Sequence, residues 1–164
     1  MILYHGSGVI VDKPQIIRVD AGRDFGFGFY TTDIKEQAIR WAKRKAMILK
    51  KNKKLAQPTL NLYYYDEQKA KETLTIKVFD NPCIEWLEFI VCCRRDINFK
   101  HDYDMVIGNI ANDNVGETVS YVMSGIMRKE DAVERLKFQK INSQFCFNTD
   151  NALKCLTFIE SKNV

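Results

Sequence analysis

The sequence predicts an α+β fold in one domain spanning residues 1–164. Three observations lead there. Apolar residues make up 46% of the chain, enough to fill a core and to argue against global disorder. Short runs that alternate like strands are interspersed with stretches whose apolar residues recur at helical spacing. These elements do not follow the regular strand–helix–strand rhythm of a doubly wound sheet. No repeat, low-complexity segment or Pro/Gly/Ser-rich linker marks a boundary.

Taken in order, Ile2-Leu3-Tyr4-His5 reads as a short strand halted by the turn Gly6-Ser7-Gly8. Residues 8–25 read as loop, with Pro14 and Gly22. Asp33 with Glu36 resembles a capping box, and Ile34, Ala38, Trp41, Ala42 and Leu49 follow at helical spacing, so a helix should run from residue 33 into the lysine cluster. Residues 59–65 alternate like a strand, as do Leu74, Ile76 and Val78. Asn81-Pro82 serves as cap and first-turn proline of a helix carrying Ile84, Leu87, Phe89 and Ile90 towards Arg94. Residues 105–107 read as a buried strand ending at Gly108. Asp113 then caps a helix with Val115, Val119, Val122 and Met123, stopped by Gly125. Lys129–Lys137 is a further short helix, and residues 144–148 and 156–159 are strands around a helical turn at 150–154.

No apolar stretch approaches the ~18 residues of a transmembrane helix, and MILYHGSG lacks the basic and apolar regions of a signal peptide. The expected compartment is the cytoplasm, with no membrane partner. Five cysteines (Cys83, Cys92, Cys93, Cys146 and Cys155) include no CxxC, and with two histidines they argue against a closed metal site or a disulfide framework. Cys92 and Cys93, in an apolar run, read as small buried hydrophobes. The net charge of +4 draws on Lys43-Arg44-Lys45 and on Lys50-Lys51-Asn52-Lys53-Lys54. These runs suit a solvated helix face and its exit better than a nucleic-acid surface.

Two segments carry chemistry. His5-Gly6-Ser7 ends the first strand, where a histidine can bond a ribose hydroxyl and a glycine lets the backbone approach a flat ligand. Taken alone, such a histidine is more often structural. Residues 23–33, RDFGFGFYTTD, place a bent Gly-x-Gly loop and three aromatics before a helix. This is not the dinucleotide fingerprint, since no third glycine follows and no strand precedes it. The aromatics could also be core and the glycines a simple turn.

Together the two segments resemble the signature of the diphtheria-toxin-like and poly-ADP-ribose-polymerase-like branch of the ADP-ribosyltransferase superfamily: a His-Gly strand, then Gly-x-Gly-(apolar)-Tyr leading into a helix. Along its full length the chain also resembles a small bacterial domain-of-unknown-function family in that superfamily. The similarity lies in LYHGS at 3–7, RDFGFGFYTTD at 23–33, QAIRWAKR at 37–44, YDMVIGNIAND at 103–113 and QFCFNTDNALKCLTF at 144–158. The resemblance implies a split two-sheet α+β core with surrounding helices and NAD as co-substrate. It places His5 on the adenosine-side ribose, the Gly6 backbone on the nicotinamide carboxamide, and Ser7 near a ribose hydroxyl. Tyr30 packs on the nicotinamide ring, and Trp41 stands where a second stacking aromatic occurs, though it serves equally as helix core. Arg23 or Arg18 would neutralise the pyrophosphate, if either is more than a solvated loop charge.

In one respect the chain departs from that pattern. The glutamate that opens a late strand in the superfamily corresponds here to Gln144, giving a His-Tyr-Gln triad. A glutamine can orient a ribose, but it brings no charge to stabilise the cation formed on glycosidic cleavage. Chain elongation is therefore not expected, whereas single transfers remain open. Asp113 is the first candidate for a replacement carboxylate, with Asp104 and Asp24 behind it, although the plainer reading of Asp113 is an ordinary N-cap. The resemblance implies a mono-ADP-ribosyltransferase whose acceptor is a protein, nucleic acid or small molecule, acting as a toxin with an antitoxin partner or as a defence effector. The competing readings are an NAD glycohydrolase, an NAD- or ADP-ribose-binding module without turnover, and a scaffold that serves interaction alone.

Overall fold

The computed structural model describes residues 1–18, 23–110, 113–137 and 142–164. Within them the elements run β1 (Ile2–Ser7), β2 (Phe29–Thr31), α1 (Lys35–Lys51), β3 (Thr59–Tyr65), α2 (Glu67–Thr73), β4 (Ile76–Phe79), α3 (Ile84–Arg95), β5 (Met105–Ile110), α4 (Asp113–Met123), α5 (Lys129–Lys137), β6 (Asn142–Phe147), α6 (Asp150–Leu153) and β7 (Leu156–Asn163). The strands form a three-stranded sheet in the order β1-β3-β7 and a four-stranded sheet in the order β2-β6-β5-β4. Only β4 and β5 pair in parallel. The fold is α+β, with two sheets and surrounding helices, as the sequence predicts.

Side-chain alternation along the strands separates the layers. Leu3 of β1 and Tyr63 and Tyr65 of β3 meet Phe29, Met105, Phe145 and Phe147 of the other sheet in one buried cluster. The opposite face of the four-stranded sheet, with Val106 and Cys146, is covered by Trp86, Leu87 and Ile90 of α3, Val115 and Val119 of α4, and Ala132 and Leu136 of α5. Helix α1 covers the other face of β1, and small residues permit it. A Cβ on Gly6 would overlap the Ala38 carbonyl oxygen and lie 2.7 Å from Ala42 N, and one on Gly8 would lie 2.6 Å from Leu49 Cδ1. Ala38, Ala42 and Ala46, four residues apart, supply the matching buried strip on the helix.

Several local expectations need correction. The capping box at Asp33 and Glu36 does not form: α1 begins after Ile34 with no side-chain cap, and the chain is turned by Thr32 Oγ1, which accepts the Ile34 N–H at 3.1 Å. Cys83, not Asn81, caps α3, its Sγ accepting from Trp86 N at 3.4 Å. Strand β1 continues through Gly6 to Ser7, because its ladder with β3 extends to the pair Ser7–Thr59. Strand β5 likewise passes Gly108, which pairs with Gln144 on β6. Cys93 is buried, but Cys92 is exposed, since adjacent residues of α3 point in different directions. The sequence reading also passes over α2.

Candidate functional site

A cavity of about 330 Å³ opens where the outer edge of β1 meets β2. Of the residues singled out by sequence, His5, Gly6, Arg23, Tyr30, Trp41 and Gln144 all line it. So does Asp24, the last-ranked carboxylate candidate.

Strand geometry explains the convergence. Tyr4 exchanges two backbone bonds with Thr32, its N–H donating at 2.8 Å and its C=O accepting at 2.9 Å, so the peptide groups of Tyr4 face away from β3. Backbone direction alternates along a strand, so Gly6, two residues on, also turns its N–H and C=O outward. That edge of β1 lies at the cavity, which Gly6 lines. Gly6 therefore has a double constraint: its missing side chain admits α1, and its backbone lines the cleft.

On the other wall Tyr30 pairs with Cys146 of β6, which places Tyr30 diagonally beside Gln144 on the same sheet face. The Tyr30 hydroxyl is committed to the loop before it, donating to Gly26 O at 2.5 Å and accepting from Phe25 N at 3.2 Å. Burial pushes its pKa well above the ordinary value, so the hydroxyl keeps its proton and the ring is what it offers a ligand. The Arg23 guanidinium lies 5.4 Å from that ring's centroid.

The Gly26–Gly28 loop is held from β6. Asn148 Nδ2 donates to Phe25 O at 2.8 Å and to Phe27 O at 2.9 Å. Gly26 has φ +75°, open to glycine at little cost. Gly28 lies so close to β6 that a Cβ would sit 2.5 Å from Cys146 Sγ.

His5 Nδ1 lies 2.7 Å from the Tyr30 carbonyl oxygen. A carbonyl can only accept, so Nδ1 carries the ring proton and Nε2 remains an acceptor. Burial, with smaller contributions from Lys45 and Arg23, lowers the His5 pKa to about 4, so the ring is neutral near pH 7. Its ring packs 4.5 Å from that of Phe29.

The remaining walls are residues that sequence reasoning missed: Tyr4, Thr31, Thr32, Gln37, Ala38, Lys45 and Arg94. Gln37, Trp41 and Lys45 are successive at four-residue spacing on α1, so the stacking position assigned to Trp41 carried a signal for the other two. Lys45 was instead absorbed into a basic run read as solvated. Although the residue as a whole is exposed, partial desolvation of its amine, with Arg23 and Arg44 nearby, lowers its pKa. Arg94 is placed by α3 and pairs with Asp24, Nε and Nη2 each 2.6 Å from Oδ1. Arg23, Lys45 and Arg94 against Asp24 give the lining an excess of positive charge.

Other candidates stand elsewhere. Ser7 does not line the cavity, and its Oγ accepts the Val9 N–H at 3.4 Å. Arg18 is exposed and outside the lining. Asp104 accepts from Thr75 N at 3.0 Å and Thr149 Oγ1 at 2.7 Å, tying β4 and α6 to β5. Asp113 opens α4, and its side chain lies outside the described residues.

Fold and site define a class: a two-sheet α+β protein with a basic, aromatic-walled cleft at the junction of its sheets. The chain belongs to the family described as "Protein of unknown function (DUF3990)", whose model matches residues 1–158. No curated protein and no solved structure matches it. Among the described residues no helix is long and apolar enough to cross a membrane.

Proposed function

We propose that the cleft binds NAD and that the protein is a mono-ADP-ribosyltransferase of the superfamily its sequence resembles. The carrying observation is that six residues named from two distant motifs, the helix after the second and a late strand line one cavity. The residues present suit this ligand. Outward-facing N–H and C=O groups on Gly6 match a carboxamide, and a neutral His5 Nε2 accepts from a ribose hydroxyl. The Tyr30 ring, with Trp41, offers stacking faces, and the cationic excess of Arg23 and Lys45 suits a pyrophosphate. About 330 Å³ is at the small end of ligand pockets, which span ~300–1,000 Å³. This suits the nicotinamide-ribose half, with the rest of the dinucleotide lying towards the open side.

When bound, NAD supplies a glycosidic bond whose cleavage leaves positive charge on the ribose. The protein's part is to hold both sides of that bond. Gly6 and Tyr30 fix the ring, and Gln144 orients the ribose through its amide oxygen. Asp24 is the one carboxylate in the described lining, and Arg94 neutralises much of its field. A lining with surplus positive charge favours binding an anion but opposes a cationic transition state. Transfer is accordingly slow and limited to single ADP-ribose units. The same electrostatics favour a second reading, a module that holds NAD or ADP-ribose without turnover.

Nicotinamide release from NAD tests both. Gln144→Glu should release it faster than the native protein, while Gln144→Ala and Asp24→Asn should release it more slowly. Equal, measurable rates in all four would remove Gln144 and Asp24 from the chemistry. NAD binding with no release in any variant would establish the binding module.

A further inference from the structure

Helix α1 ends in a surface that the cleft does not use. No Asp or Glu occurs between Glu36 and Asp66, so every charged residue of that interval is Lys or Arg. Lys50, Lys51, Lys53 and Lys54 are all exposed. The helix exit is a tight reversal: Lys53 N donates to Lys50 O and Lys54 N to Leu49 O, each at 3.0 Å, with Lys53 at φ +57°. That left-handed position favours glycine or asparagine, and a side chain with a Cβ is strained there. The backbone of this turn therefore gives no reason for a lysine at its tip.

Just past the tip, Leu55 is fully exposed. A second loop adjoins it. Gly8 O accepts from Gln57 N at 3.0 Å, and a Cβ on Gly8 would lie 3.3 Å from Ala56 Cβ, so Val9 and Ile10 leave β1 beside the exit of α1. Ile10 is 63% exposed, and Val9, Met47 and Ile48 are exposed as well. Met47 and Ile48 stand one turn before Lys51 on the helix. A solvated helix exit accounts for the lysines but not for aliphatic side chains gathered at two adjoining loops. A nucleic-acid strand would engage the lysines, yet the loop tips offer its bases no ring to stack on. A bilayer with acidic headgroups engages both, since aliphatic tips enter the boundary between headgroups and acyl chains while lysines remain at headgroup level.

We propose that the C-terminal end of α1, with Leu55 and the Val9-Ile10 loop, docks the protein on the surface of an anionic phospholipid bilayer. Such peripheral docking needs neither a crossing helix nor a signal peptide, which is why hydropathy along the sequence predicts no membrane partner. It is independent of what the cleft binds.

The test is cosedimentation of the full chain with vesicles of phosphatidylcholine alone, or of phosphatidylcholine and phosphatidylserine in equal parts. The native protein should bind the acidic vesicles about tenfold more tightly or better, and less so as salt is raised. Lys53→Gly separates docking from folding. It relieves the left-handed backbone, so the melting temperature should hold or rise while affinity for acidic vesicles falls roughly fivefold. Leu55→Ser, at a fully exposed position, should leave the melting temperature unchanged and weaken vesicle binding by about tenfold. A native protein without preference for acidic vesicles, or either variant bound as tightly as the native protein, overturns the proposal. Binding of a single-stranded oligonucleotide in place of acidic vesicles would assign the lysines to a nucleic acid and overturn it as well.

Discussion

His5 connects the cleft to the pH dependence of the fold. Its pKa falls from 6.5 to about 4 in the native state, chiefly because burial disfavours the charged ring. Between those values the unfolded chain binds a proton that the native chain does not, so native stability falls as the pH drops through this window and levels off below it. The loss is on the order of 3 kcal/mol at most. Urea midpoints measured from pH 7 to pH 4 should decline more steeply in the native protein than in His5→Gln, which has no imidazole to titrate. Parallel declines would show that His5 is charged in the fold. Tyr30 makes a second prediction at this scale. Tyr30→Phe keeps the ring but leaves the Phe25 N–H and Gly26 C=O without their partner, costing about 1–3 kcal/mol of stability with NAD affinity nearly kept. Tyr30→Ala should weaken NAD as well, by about 1–3 kcal/mol if the ring stacks on it. Unchanged NAD affinity in folded Tyr30→Ala would put the ligand elsewhere. Both residues were legible in sequence because their motifs sit within a few positions of a strand end. Gln37 and Arg94 were not, since nothing local to α1 or α3 says which helix face a distant loop will meet.

Among the elements, α1 is the one whose seat constrains the cleft. It approaches β1 closely because Gly6 and Gly8 present no side chains to Ala38, Ala42 and Ala46. Gly6→Ala must push the helix backbone away, and overpacking of this kind costs about 1–3 kcal/mol. Thermal denaturation should show that loss together with weaker NAD binding, because Gln37, Trp41 and Lys45 ride on the displaced helix. A Gly6→Ala protein of native stability would mean that α1 is not held where the structure has it. The 3.6-residue periodicity of Ala38, Trp41 and Ala42 announced this helix correctly. Its first turn was misread because Asp33 and Glu36 match a capping box by spacing alone, whereas Thr32 makes the turn. Helix α2 escaped notice for a physical reason: in Glu67–Thr73 only Ala70 is buried, so no apolar stripe exists to be read. A helix capped by Asp66 and packed through one methyl group leaves little periodic trace.

At the scale of the molecule, charge gathered from three separate elements converges on one opening. Arg23 comes from the loop before β2, Lys45 from α1 and Arg94 from α3, opposed in the described lining by Asp24. An anionic ligand should therefore bind less tightly as salt is raised. Lys45→Met should reduce both the affinity for ADP-ribose and its slope against log salt, with the melting temperature little changed because Lys45 is exposed. An unaltered slope would show that Lys45 does not face the bound anion. Composition revealed the surplus of basic residues, but the fold alone decides which of them share a cleft.

The bridge between Tyr4 and Thr32 carries one further consequence. It is a single rung of a ladder that β2 does not extend, because Tyr30, which an antiparallel ladder would set opposite Gly6, pairs with Cys146 of β6 and gives its carbonyl to His5 Nδ1. The next rung on β1 is Gly6. A primary carboxamide offers one donor and one acceptor side by side, much as the edge of an extended residue does. A ligand seated there would be read as backbone, taking the place that Tyr30 would hold in a continued ladder. The protein would then recognise its ligand by the rules of sheet pairing, and the side chains around the rung would decide only which carboxamide is admitted.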